Sequence, residues 1–203
     1  KVSVKAKRFP HEDRTEAYFT IENAIRTRIR KINFFGNNAF SEKQLRKFVL
    51  LKKEGFLTRT HFTERQLRED AENIALFYKK EGFLDARVTP DISFDGQKKK
   101  ATILFKIEEG IYTWIETISL KGTDRISEES ITNSLSLQKG YPYNKGVQRE
   151  GARQILILYS RLGYLSAKVD SEVTFSEDKS RAQLDYTITE GEPVFLGATR
   201  ITG

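Results

Sequence analysis

"FKIEEGIYTWIETISLKG", residues 105–122, decides the architecture, because the chain carries something close to it twice more: "FTIENAIRTRIRKINFFG" at 19–36 and "YTITEGEPVFLGATRITG" at 186–203. A block of 18 residues that recurs three times marks an array, which has to be divided before any residue is given chemistry. Between the first and second copies the offset is 86, carrying Ile21 onto Ile107, Ile29 onto Ile115, Ile32 onto Ile118 and Gly36 onto Gly122. Between the second and third it is 81: Gly110 falls on Gly191, "YKKEGFLDARV" (78–88) on "YSRLGYLSAKV" (159–169) and "ATILFKI" (101–107) on "AQLDYTI" (182–188). The five-residue difference belongs to a loop between Gly36 and Gly82, where "LLKKEGFLTRTHF" is longer than its counterpart "SLQKGYPY".

Each unit then reads by its period. Ser41 with Gln44 forms an S-x-x-Q capping box ahead of Leu45, Phe48 and Val49 at helical spacing, which predicts a short first helix. Thr63 with Gln66 opens a second helix with an apolar stripe of Leu67, Ala71, Ile74 and Phe77 with Tyr78, and Gly82 lies where a C-cap is needed. From 84 to 94 the period becomes two: Leu84, Ala86, Val88, Pro90, Ile92 and Phe94 alternate with Asp85, Arg87, Thr89, Asp91 and Ser93, as in a half-buried strand. The turn "DGQKKK" leads to another alternating strand, with Ala101, Ile103, Phe105 and Ile107 inward, ended by Glu108, Glu109 and Gly110. "WIETISLKG" opens the next unit as a strand, so the order is β-α-α-β-β, an α+β repeat of about 80 residues.

On this division, residues 1–28 hold the closing hairpin of a truncated unit, with Val2, Val4, Ala6, Ala17, Phe19 and Ile21 inward. Complete units run over 29–111 and 112–192, and 193–203 begin another unit or lead into something else. No Pro- or Ser-rich linker intervenes, so the units are expected to be closely coupled. The corner residues Glu109, Gly110, Tyr112 and Trp114 are read as the joint, where a large amphipathic ring suits packing between domains.

Of 203 residues, 38% are hydrophobic and 31% charged, with 14 Phe and 8 Tyr spread throughout, a composition of folded protein rather than of disorder. No run reaches the roughly 18 apolar residues of a membrane helix. The absence of Cys excludes a disulfide framework, a thiolate zinc site and a Cys nucleophile, and suits an oxidising compartment. The absence of Met points to an excised or processed segment. The net charge of +7 allows an anionic partner, but the charges are interspersed and read first as a solubilising surface.

Nothing in the sequence assembles a catalytic site, a metal site or a cofactor cradle. His11 and His61 stand in polar loops with no second ligand at metal spacing. Glu108 and Glu109 are adjacent on a strand end and so point to opposite faces. No G-x-x-x-x-G-K-[ST] or G-x-G-x-x-G occurs, and neither complete unit carries the G-x-x-G clamp of a KH-type nucleic-acid binder. Lys98, Lys99 and Lys100 form a solvated hairpin turn rather than a nucleic-acid grip.

One feature favours binding. Pro90 cannot donate to a ladder, so the strand 84–94 is expected at a sheet edge, unless Pro90 marks a bulge or the strand's end. The equivalent strand "LSAKVDSEVTF", 165–175, alternates in the same way without the proline. An edge offers unpaired backbone groups to an extended segment of another protein.

"INFFGNNAFSEKQL" (32–45), "NIALFYKKEGFLDARV" (73–88) and the closing "FKIEEG" (105–110), in this order and recurring, resemble POTRA domains. These are the periplasmic modules that precede the membrane barrel in BamA-type outer-membrane assembly proteins. Asn23 and Ala24 in place of the corner's Glu and Gly depart from the pattern, as does "RLGYLSAKV" (161–169). Gly146 and Gly151 should weaken the last helix by about 1 kcal/mol each relative to Ala.

The resemblance implies a three-stranded mixed sheet covered on one face by two antiparallel helices, without cofactor or enzymatic activity. It further implies polypeptide docking by β-augmentation on the second strand of each unit. Those strands carry Leu84, Ala86, Val88, Pro90, Ile92 and Phe94, and Leu165, Ala167, Val169, Val173 and Phe175. The implied partners are unfolded outer-membrane protein precursors and accessory lipoproteins of an assembly complex. The implied place is the periplasmic face of the bacterial outer membrane, with a C-terminal β-barrel outside this chain as anchor. The alternative is a rigid spacer or docking arm of a TamA-type or two-partner secretion transporter.

Overall fold

The computed structural model describes residues 3–10, 15–22, 27–51, 63–97, 99–194 and 197, with side chains from residue 27 onward. Strands β1 (Ser3–Pro10) and β2 (Thr15–Glu22) pair antiparallel, from Ser3 opposite Glu22 to Pro10 opposite Thr15. The inward side chains expected there lie outside the described ones, as do His11, His61 and most of the long loop.

Two repeats of β-α-α-β-β follow. The first comprises β3 (Arg28–Phe35), α1 (Glu42–Leu45) continued by a 3-10 turn (Arg46–Phe48), α2 (Glu64–Lys80), β4 (Arg87–Phe94) and β5 (Lys100–Glu108). The second comprises β6 (Trp114–Lys121), α3 (Glu128–Ser134), α4 (Lys145–Arg161), β7 (Lys168–Phe175) and β8 (Arg181–Thr189). Each repeat builds a three-stranded mixed sheet, ordered β3-β5-β4 and β6-β8-β7. The last strand of each repeat is central, and its inward row is wholly buried: Ala101, Ile103, Phe105 and Ile107, and Ala182, Leu184, Tyr186 and Ile188. It runs parallel to the first strand, across the helical crossover, and antiparallel to the second, across a tight hairpin.

The chain divides into two compact units, Lys1–Ala75 with Arg87–Glu108, and Leu76–Ala86 with Glu109–Gly203. The core of the first gathers Ile29, Ile32, Leu45, Val49, Leu67, Ala71 and Ile74 with the inward row of β5. That of the second gathers Ile115, Ile131, Leu135, Leu137, Ile155 and Tyr159 with the inward row of β8. Each aliphatic side chain so buried stabilises its unit by about 1.5–3 kcal/mol relative to exposure.

Local chemistry accounts for the element ends. The Ser41 backbone N–H donates to Gln44 Oε1 (3.0 Å) at the start of α1, and the Gln66 N–H donates to Thr63 Oγ1 (3.2 Å) at the start of α2. Asn144 caps α4, its Oδ1 accepting from the Val147 N–H at 3.0 Å. Both long helices end in a Schellman motif. Gly82 (φ +95°) donates to Lys79 O, and Phe83 to Tyr78 O at 3.0 Å. Gly163 (φ +93°) donates to Ser160 O, and Tyr164 to Tyr159 O at 3.0 Å. The rings that such a motif brings together are in contact, with Tyr78–Phe83 centroids 5.6 Å apart and Tyr159–Tyr164 centroids 5.7 Å apart.

Two sequence expectations need correction. The alternation starting at Leu84 and Leu165 does not mark strand from its first residue: the turn closed by Ala86 N–H to Phe83 O, and by Ala167 N–H to Tyr164 O, delays the ladder to Arg87 and Lys168. Leu84, Ala86, Leu165 and Ala167 are therefore turn residues, with Leu84 and Ala167 packed on the core of the second unit. Gly151 is not simply a weak point of α4. A Cβ there would overlap the Tyr186 hydroxyl, which donates to Gln148 O at 3.0 Å inside the core.

Candidate polypeptide-docking edges

The hydrogen bonds closing each hairpin reveal which backbone groups face outward. Asp95 N–H donates to Lys100 O (2.9 Å), making this a hydrogen-bonded pair. In an antiparallel ladder such pairs alternate, so Arg87, Thr89, Asp91 and Ser93 bond β5, while Val88, Pro90 and Ile92 turn their backbone groups away from the sheet. Ser176 N–H donates to Arg181 O (3.0 Å), which by the same alternation turns Val169, Ser171 and Val173 of β7 outward. Pro90 thus occupies a position where its missing N–H removes no ladder bond.

The strand on the opposite side of the second sheet is less accessible. Residues 140–143 lie along the start of β6, with Ile115 N–H to Tyr141 O (2.8 Å), Gly140 N–H to Ile115 O (2.8 Å) and Tyr143 N–H to Thr113 O (2.9 Å). In the first repeat the corresponding segment lies outside the described residues.

Along β4 the side chains of Val88, Pro90 and Ile92 are half-buried, and along β7 those of Val169 and Val173 are half-buried and packed on the core of the second unit. At the strand ends Phe94 is 43% and Phe175 39% exposed, Phe175 resting edge-on against Tyr143 with centroids 5.4 Å apart. Leu165, in the preceding turn, is 65% exposed. Gln148 was not singled out by sequence. Buried on α4, it accepts from the Tyr143 hydroxyl (2.9 Å) and donates from Nε2 to Ser171 O and Ser171 Oγ, both at 3.1 Å. A polar residue four positions before the apolar Ala152 on an otherwise inward stripe was the available signal.

The corner residues form a repeated latch. The Tyr78 hydroxyl donates to Glu109 Oε1 (2.9 Å), and Tyr159 to Glu190 Oε1 (2.8 Å), which also accepts from Arg125 N–H at 2.9 Å. Burial, and then the neighbouring carboxylate, raise both tyrosine pKa values. Gly110 takes φ +74°, the Tyr112 and Phe83 rings meet at a tilt of 51° with centroids 5.4 Å apart, and Thr113 N–H donates to Gly82 O at 2.9 Å. Trp114 is half-buried at the start of β6, and its backbone N–H donates to Ser180 O at 2.9 Å. Val194 N–H to Gly163 O (2.8 Å) repeats the bond of Thr113 to Gly82.

The β7–β8 turn is acid-sensitive by construction. The Asp178 carboxyl is held at a pKa of about 2 by the Ser176 hydroxyl, then by the N–H and hydroxyl of Ser180. Because the folded value lies below the ordinary one, the contribution is present above pH about 4 and is lost as the pH falls through about 2. Asp91, lowered first by its bond to Lys106 Nζ (3.0 Å), has the same sign. Melting temperature is expected to drop between pH 4 and 2, and Asp178→Asn to flatten that slope; an unchanged slope would refute the role of this turn.

Among the described residues no group of three or more His, Cys, Asp or Glu could hold a metal ion, and no helix is long and apolar enough to cross a membrane.

The chain is 24% identical over 198 residues to outer membrane protein assembly factor BamA of Neisseria meningitidis, covering 94% of this chain and 25% of that protein. It is 23% identical over 204 residues to BamA of Neorickettsia risticii, with coverage of 95% and 26%. It thus spans about a quarter of the length of these curated relatives. The crystal structure of Haemophilus influenzae BamA POTRA3-5 shares the fold, with a TM-score of 0.50 at 17% identity over 82% of this chain and 67% of that one. The family model POTRA, described as surface antigen variable number repeat, matches residues 27–110 and again 114–191, and the chain belongs to that family.

Proposed function

We propose that this chain is a polypeptide-docking region of an outer-membrane protein assembly factor. It acts at the periplasmic face of the outer membrane, and a β-barrel outside these 203 residues anchors the whole protein. Unfolded barrel precursors or accessory lipoproteins pair by β-augmentation along β4 and β7. The observation that carries this reading is the backbone of Val169, Ser171 and Val173, turned away from the sheet on β7 while residues 140–143 cover the start of β6. The kinship with assembly factors supports it. No chemistry beyond backbone pairing and apolar side-chain contact is needed.

Val169→Pro tests the edge with little damage to the fold. The N–H it deletes is outside the ladder, and Pro90 shows that a proline is accommodated at an outward position. Stability should fall by about 1–2 kcal/mol, mostly from lost Val packing. Affinity for an extended peptide from a β-barrel C-terminal strand should fall about tenfold, one backbone bond and the ring's bulk being involved. Amide shifts followed by 15N NMR at low and moderate salt read both the site and the affinity. Shifts that scatter over the surface and vanish with salt would sink the docking reading.

The corner latches favour a second reading, a rigid spacer of a TamA-type or two-partner secretion transporter that touches no client. Tyr–Glu pairing and the glycine-dependent helix ends recur in both repeats whether or not an edge is used. In that case Val169→Pro would leave function intact, while changes at Tyr112 or Trp114 would impair it.

A further inference from the structure

Both outward edges are broken at the same repeat position by unrelated chemistry. Position 90 corresponds to 171 under the offset of 81 that relates the repeats. In the first repeat the break is Pro90, which has no N–H to offer an incoming strand. In the second it is Ser171, whose outward carbonyl already accepts from Gln148 Nε2 at 3.1 Å. Gln148 is 9% exposed and fixed by the Tyr143 hydroxyl, so the bond is built into the core. The first repeat has the apolar Leu67 where the second has Gln148, and proline where the second has serine. One edge lacks a donor, and on the other the outward acceptor already carries one hydrogen bond from a side chain that an incoming N–H would have to share it with.

We propose that this mid-edge interruption divides each docking strand into two short half-sites, around Val88 and Ile92 on β4 and around Val169 and Val173 on β7. An extended polypeptide then pairs over only two or three residues at a time. A continuous outward row is a template for lengthy strand pairing, including pairing with another copy of the same chain. Breaking it at the centre keeps each engagement weak and short-lived, as suits a client that must move on unfolded. This rests on the reading of β4 and β7 as docking strands, and adds to it a limit on the length and lifetime of the paired segment.

Restoring the edges tests the proposal. Pro90→Val returns the donor without touching the core. Gln148→Leu together with Tyr143→Phe frees the Ser171 carbonyl and removes both partners of the buried Tyr143–Gln148 bond, while the half-exposed Ser171 Oγ exchanges its bond to Gln148 for one to water. The probe is the same β-barrel C-terminal peptide, titrated against the 15N-labelled chain, with release rates from exchange broadening. Each restored edge should bind about tenfold more tightly, chiefly through slower release, with protection running unbroken across 88–92 or 169–173. If the wild type binds at these edges and the restored variants bind no better, the interruption has no such role. If the peptide leaves both edges untouched in the wild type, the docking reading itself fails. Sedimentation then decides the interruption alone: restored chains that dimerise at concentrations where the wild type is monomeric support it, and restored chains that stay monomeric overturn it.

Discussion

Gly122→Ala should destabilise the second unit by about 3 kcal/mol. Gly122 closes β6 at φ +75°, and a Cβ there would overlap the backbone carbonyl of Ile188 on the central strand. An L-residue in the left-handed region costs about 1–2 kcal/mol. The overlap adds a forced backbone shift of about 1–3 kcal/mol, because a carbonyl in a ladder cannot swing aside as a flexible side chain can. The sole tryptophan, Trp114, opens β6 in the same unit, so its fluorescence reports the transition in a denaturant titration. A lower midpoint at unchanged slope is the expected result. Gly140→Ala, in the same unit, is the control: its φ is +87° but nothing lies within 4 Å of a Cβ there, so only the conformational cost of about 1–2 kcal/mol should appear. Equal behaviour of the two variants would refute the close approach.

Asp70→Ala should cost the first unit about 2–4 kcal/mol. Asp70 is fully buried on α2, and its two oxygens accept from the Leu50 and Leu51 N–H groups, each at 2.9 Å, with Gln66 Nε2 adding a bond at 3.2 Å. Leu51 is itself buried, so its orphaned N–H has no water to turn to, at a cost of about 1–3 kcal/mol per unsatisfied group. Asp70→Asn keeps one acceptor oxygen and should lose about half as much. Amide exchange at Leu50 and Leu51 gives the local signature, since these two protons should lose protection before the rest of the unit. Unchanged protection in Asp70→Ala would show that the segment after α1 is held by something else.

Much of this molecule is written in short-range pattern. The alternation of Ala101, Ile103, Phe105 and Ile107 places β5, because successive side chains of a strand point to opposite faces and these four line the buried one. The stripe Leu67, Ala71, Ile74 places α2, and the recurrence at offset 81 transfers both assignments to β8 and α4. Pro90 pointed to an edge because a missing N–H is a covalent fact. In each case a residue's own geometry, or that of its neighbours within a turn or two, carries the information.

What the pattern did not hold depends on groups far apart in the chain. Leu84 and Ala86 continue the alternation, yet a turn bond from Ala86 to Phe83 keeps them out of the ladder; period alone does not distinguish strand from an apolar turn packed on a core. Gly151 reads as a helix breaker until Tyr186 is found filling the space, 35 residues later. Asp70 and Gln148 interrupt apolar stripes and look like defects, but each satisfies backbone groups some 20 residues away, Leu50 and Leu51 for the first and Ser171 for the second. Which strand edge stays open is likewise a property of the ladder: the direction of Val169, Ser171 and Val173 follows from the bond between Ser176 and Arg181, and the cover on β6 from a segment beyond α3. Side-chain periodicity records which face of an element meets apolar neighbours; which distant group supplies a hydrogen bond, or leaves one unmade, exists only once the chain has closed on itself.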